Sequence, residues 1–220
     1  SVPLSNYNVE FGAAGGGGTV TLDAVRTIAN PATIYLSNGA AGAYDLAAGT
    51  GGSFNFTGEV GVAVASAAES HTISAPVNGV GSLTKSGDGT LVLAGSNAYA
   101  GGTKLLAGTL VLGNNAALGT GGVQTNAGST LDFAGFSPTV ASLSGAGSIT
   151  SASIATLTLG QSDATSYSGV IGGAVALNKT GNGTITLSGA NTYAGGTTVA
   201  GGAVLLPNNS FSPFGTGTLT

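Results

Sequence analysis

The 220-residue chain has no cysteine, no methionine and no tryptophan, and only 5% of it is charged. Without cysteine, disulfides, thiolate metal sites and thiol nucleophiles are excluded together. Its four basic side chains, Arg26, Lys85, Lys104 and Lys179, are too few and too scattered to neutralise a run of phosphates or to hold an anionic lipid surface. A net charge of −4 gives little like-charge repulsion between copies, so lateral or end-to-end self-association is favoured. No apolar run approaches the ~18 residues a membrane helix needs, and the opening SVPLSNYNVEF has neither the basic nor the apolar region of a signal peptide.

What the chain has is glycine, 41 residues of it, together with a 42% hydrophobic fraction that separates it from a disordered segment and allows a buried core. The apolar residues alternate with period two at Thr19–Leu22, Ser53–Phe56, Val60–Val64, Thr90–Leu93, Thr156–Leu159 and Thr184–Leu187, the pattern of strands with one buried face. Between them stand Gly15 to Gly18, Gly51-Gly52, Gly101-Gly102, Asn114-Asn115, Gly121-Gly122, Gly172-Gly173 and Gly195-Gly196, residues that accept the backbone angles of tight turns. Only the alanine-rich stretch Ala63 to Ser70 offers a helical candidate, and it is expected to be a loop or a single helical turn.

A long internal repeat selects among the all-β architectures. LTKSGDGTLVLAGSNAYAGGTKLLAGTLVLGNN runs from Leu83 to Asn115, and LNKTGNGTITLSGANTYAGGTTVAGGAVLLPNN from Leu177 to Asn209, with Lys85 and Lys179 standing 94 residues apart. Short strands in a chain that repeats itself point to a parallel β-helix. At ~20 to 25 residues per coil the whole chain makes about nine to eleven coils, stacked at about 4.8 Å into a rod on the order of 45 Å long. The organisation expected is one solenoid over 1–220. It has less regular coils over 1–74, a first clear unit at 75–125, degenerate coils at 126–172 and a second clear unit at 173–220.

The unit L-x-K-[ST]-G-x-G-T-[LI]-x-L-x-G-x-N-x-Y-A-G-G-T closely resembles the passenger-associated β-strand repeat of bacterial autotransporters. Thr165 to Gly173 looks like the segment that leads into that repeat, and Gly79 to Leu83 like a shorter version. The resemblance implies a right-handed parallel β-helix outside the cell, commonly joined to a C-terminal outer-membrane barrel, with adhesive, aggregative or spacer roles. This chain carries no series of ten-residue alternating segments of the kind such a barrel needs, so membrane insertion by this segment is not expected.

Candidate chemistry is sparse. The eight acids, Glu10, Asp23, Asp45, Glu59, Glu69, Asp88, Asp132 and Asp163, include no two within eight residues in sequence. Glycoside cleavage requires two facing carboxyls. His71, the one histidine, lies in a Ser/Thr-rich stretch and is expected to be solvated rather than catalytic. Ser86-Gly-Asp-Gly-Thr90 lacks the acids of the calcium-binding nonapeptide, and the second copy has Asn182 in place of Asp88.

The matched pairs Lys85/Lys179, Asn97/Asn191 and Tyr99/Tyr193 are the candidate interaction or turn positions. The lysines read as solvated turn residues that discourage edge pairing. The tyrosines fit either packing or exposed adhesion, and the asparagines, with Asn114-Asn115 and Asn208-Asn209, fit stacked turns. Thr-x-Thr pairs at 19/21, 156/158, 184/186 and 218/220 fall at unequal spacings, which argues against one regular ice-ordering array. The reading is a non-enzymatic extracellular rod with no cofactor. Its partners would be further copies of itself and glycans or proteins on host or other surfaces. Alternatives are a filament subunit stacked end to end and a carbohydrate-binding or carbohydrate-cleaving β-helix.

Overall fold

The structure, a computed structural model, describes residues 8–11, 18–29, 32–36, 42–207 and 214–220, with side chains described from residue 18 onward. All its paired strands are parallel, and no helix occurs among the described residues. The period-two segments form strands where expected: Gly18–Leu22, Ser53–Phe56, Glu59–Val64, Thr90–Leu93, Ala155–Leu159 and Thr184–Leu187. In each, the aliphatic or aromatic residue at alternate positions is buried, because successive side chains of a strand point to opposite faces. The alanine-rich stretch is strand to Val64 and then a turn before the strand Ser70–Ile73.

The strands stack into a three-sided parallel β-helix. One side is a single sheet ten strands deep, close to the coil number expected from the repeat spacing; a second is a seven-stranded sheet. The third begins with the strands around Val25–Ile28, Ser53–Phe56 and Val77–Gly79. It continues through backbone bonds from Ala98 to Val77 and from Thr120 to Tyr99, and ends in a four-stranded sheet that contains Ala155–Leu159 and Val175–Lys179. Each coil passes along the third side, then the ten-strand side, then the seven-strand side, as in Val77–Gly79, Ser82–Ser86 and Thr90–Leu93.

Coil length changes along the axis. Val9, Ile34 and Val62 are successive neighbours, 25 and 28 residues apart, whereas Leu83, Thr103, Val123 and Leu143 follow at intervals of 20. Aromatics are buried in the wide early coils, with Phe54 and Phe56 inside and Phe56 packed 6.3 Å, centroid to centroid, from Tyr99 two coils above. In the narrow coils the interior is a ladder of branched aliphatics such as Leu91, Leu110, Leu131 and Ile149. Each buried side chain of this size contributes roughly 1.5 to 3 kcal/mol.

The two copies of the repeat do not lie above one another. Lys85 has Leu105, Thr125, Gly145, Tyr167 and then Leu187 stacked in register above it. Leu187 is eight residues past Lys179, so the spacing of 94 falls one side short of a whole number of coils. Lys179 consequently pairs with Leu159 and Val199 on the third side. The second copy is turned by about a third of a revolution relative to the first.

Candidate functional site

Both matched lysines are inside the solenoid, not the solvated turn residues their sequence context suggested. Lys85 is fully buried at the corner that ends Ser82–Ser86, and its Nζ donates to the carbonyl oxygens of Ser86 (3.1 Å), Gly87 (2.7 Å) and Ala107 (3.1 Å). Lys179, also fully buried, donates to the carbonyls of Gly181 and, at 3.4 Å, Gly201. Gly181 and Gly201 stand 94 residues after Gly87 and Ala107, so the same cradle is built twice, each time joining one coil's corner to the next. Burial pulls the Lys85 amine down to about 8, with Asp88 opposing the shift, and lowers that of Lys179 as well.

The other two matched pairs are interior too. Asn97 accepts from the backbone N–H of Val77 in the coil before (2.8 Å) and donates to the carbonyl of Ala117 in the coil after (2.6 Å), so one amide ties three coils together. Asn191 accepts from Ile171 at 2.9 Å in the same way. The Tyr99 hydroxyl meets Thr103 Oγ1 at 2.6 Å, and that of Tyr193 meets Thr197 Oγ1 at 2.5 Å. Both tyrosines are fully buried, and desolvation raises both phenols above their ordinary pKa. Of the two uses open to these tyrosines, the structure shows packing.

Sequence reasoning passed over the threonine partners Thr103 and Thr197, although each is the last residue of a repeated Y-A-G-G-T. It also passed over Gln161, which occupies a corner of an intervening coil and donates to the carbonyls of Asp163 (3.3 Å) and Thr184 (2.7 Å). Gln161 carries no repeat signal. Asn114 caps its own turn by accepting from Ala116 N–H at 2.8 Å, while Asn208 and Asn209 lie outside the described residues.

His71 is buried rather than solvated: Nδ1 accepts from the backbone N–H of Tyr44 (3.0 Å), and Nε2 lies 3.8 Å from Glu69, itself buried. Desolvation outweighs the carboxylate and lowers its pKa, favouring neutral imidazole. Glu69 and Asp88 fall at one corner in adjacent coils, Glu69 buried and Asp88 exposed. Asp45 and Asp132 share the seven-strand side but stand four strands apart, about 19 Å, well beyond the ~5 to 9.5 Å of glycosidase pairs. No group of His, Cys, Asp and Glu among the described residues could hold a metal ion. The Thr-x-Thr pairs fall on different sides: 19/21 on the seven-strand side, 184/186 on the ten-strand side, and 156/158 on the third.

Comparing the copies position by position separates inside from outside. Interior pairs are identical or nearly so: Lys85/Lys179, Leu91/Ile185, Leu93/Leu187, Asn97/Asn191, Tyr99/Tyr193 and Thr103/Thr197. Outward pairs mostly differ: Ser86/Thr180, Asp88/Asn182, Val92/Thr186, Ala98/Thr192 and Lys104/Thr198, with Thr90/Thr184 and Ala100/Ala194 agreeing.

The same two stretches, residues 83–112 and 177–206, match the passenger-associated-transport-repeat family. The chain is also 42% identical over 167 residues, 72% of its length, to the adhesin BmaC autotransporter of Brucella suis biovar 1 (strain 1330). The chain is an autotransporter passenger-repeat protein. This passenger-repeat chain spans about 5% of the length of that relative, and no solved structure matches it. Its place is the cell surface or the extracellular space.

Proposed function

We propose that this passenger-repeat chain is a non-enzymatic adhesive rod that acts through rigidity and self-association. The observation that carries the reading is the inside–outside split of the two copies. The repeat preserves the residues that tie coil to coil and leaves the outer side chains free to differ, as suits a scaffold that displays a surface. The adhesin relative supports the same conclusion.

The surface for self-association is the seven-strand side. Ser70, Thr90, Thr109, Thr130 and Ser148 form one outward column, and Thr72, Val92, Val111, Asp132 and Thr150 form the next. Nine of these ten are uncharged, and β-branched columns at strand spacing can interdigitate with a second copy. Beads coated with the chain should bind cells and clump, and sedimentation should show association that rises with concentration. Thr109→Lys with Val111→Lys should abolish the clumping. Monomers at every concentration together with beads that bind nothing would refute the reading; electron micrographs of the assemblies would separate lateral clusters from end-to-end filaments.

A further inference from the structure

On the third side the turn at 115–118 and the loop at 133–137 belong to adjacent coils. Between them lies a trough of about 450 Å³, within the ~300–1,000 Å³ of small-molecule sites. Asn115, Thr120, Ser137 and Thr139, all exposed, form its rim, and exposed Gly160 and Ala141 line it above buried Val140. The loop is held in place: Ser137 N–H donates to Asn115 Oδ1 at 2.8 Å, and Ser137 Oγ accepts from Thr156 N–H at 3.0 Å. Next to it Ala134 has φ of 49°, a left-handed angle that is uncommon outside glycine. Backbone strain of this kind gathers at ligand sites.

We infer that this trough binds an uncharged oligosaccharide, an inference that rests on the adhesive reading and names what the rod adheres to. No ionisable side chain lines the trough, so a cationic ligand finds no carboxylate and an anionic one finds no basic group, in a chain whose net charge is −4. The bonds fixing the loop leave the Asn115 NH2 and the Ser137 hydroxyl proton as donors, while the Thr120 and Thr139 hydroxyls donate or accept. A sugar presents the complement: hydroxyls that do both, and an apolar C–H face for the Ala116, Ala141 and Gly160 lining. A peptide strand is a poorer match, because the sheet edge at the trough, Thr139–Val140, is only two residues long, too short a template for strand addition.

Gly160 supplies the test. A Cβ there would meet only the Val140 carbonyl, at an ordinary 3.8 Å, so Gly160→Phe fills the trough without backbone strain. Titration calorimetry would use linear neutral gluco-, galacto- and manno-tetrasaccharides, with sialylated oligosaccharides as the charged comparison. At least one neutral sugar should bind the wild type, at least tenfold weaker binding should follow from Gly160→Phe, and Thr139→Val should weaken it several-fold. The sialylated series should not bind. Thermal melting should show both variants folded. Binding of no neutral sugar, equal binding of the sialylated series, or undiminished binding by folded Gly160→Phe each overturns the inference. Coated beads that still grip cells in that event leave the adhesive reading standing, whereas beads that bind nothing remove both.

Discussion

Replacing Lys85 by methionine tests the central structural claim, that a buried ammonium holds two coil corners together. Two effects oppose each other. Burial lowers the amine from 10.5 to about 8, so relieving the charged form of its desolvation is worth about 3 kcal/mol. Against that, the carbonyls of Ser86, Gly87 and Ala107 lose their donor, at about 1 to 3 kcal/mol each. The loss wins, and Lys85→Met should destabilise the protein by roughly 2 to 4 kcal/mol, as breaking buried polar clusters does.

Urea unfolding at pH 7 gives the midpoint and slope, and the same series at higher pH supplies a second readout. Because the folded pKa lies below the unfolded one, the unfolded chain holds the extra proton between about 8 and 10.5. Wild-type stability should therefore rise with pH across that window, by up to about 3 kcal/mol. The rise should be smaller in Lys85→Met, which keeps only the part contributed by Lys179. A methionine variant as stable as the wild type at pH 7, or one whose alkaline rise is undiminished, would refute the argument.

Above pH 10 the tyrosines reverse the trend. Tyr167 is pushed up to about 12, and Tyr99 and Tyr193 are also raised, so the unfolded chain ionises first and stability falls as pH rises, by at most about 4 kcal/mol per pH unit for the three together; an absorbance titration showing them ionising near 10 in the folded state would contradict this. Gly108→Ala and Gly202→Ala should each cost at least about 2 kcal/mol. Both glycines have φ of +67°, and a Cβ would lie 2.5 Å or less from carbonyls of the coil below. Exchanging outward residues between copies, Ser86→Thr or Ala98→Thr, should shift stability by no more than about 0.5 kcal/mol in urea unfolding. A large loss there would show that the outer side chains are not free to vary.

The strands were legible because period two is a property of the chain itself. The same parity already contained the answer for the residues that composition placed outside, Lys85 and His71, or left open, Tyr99. Lys85 is two residues from Leu83, His71 two from Ile73, and Tyr99 two from Asn97, so in each case the inward face was written into the spacing. Residue type overrode parity in the sequence reading, since a lone lysine or histidine among serines and glycines usually faces water. What rescues these side chains from that expectation is the corner of a solenoid, where carbonyls converge from two coils. That convergence depends on coil width, which glycine turns alone do not specify. The rim formed by Asn115 and Ser137 was invisible for a related reason: its 22-residue contact joins a repeat turn to a loop with no counterpart elsewhere in the chain.

The one-third turn between the copies bears on how such a chain grows. A duplicated stretch of 94 residues moves everything that follows it to a neighbouring side of the prism, and this chain folds with its lysine cradle on either side. The three sides are thus interchangeable hosts for the same interior module. A recombination event need not respect whole coils to give a continuous core. Each such event also redistributes the outer residues around the axis, so new surface geometry arises without any change to the residues that hold the rod together.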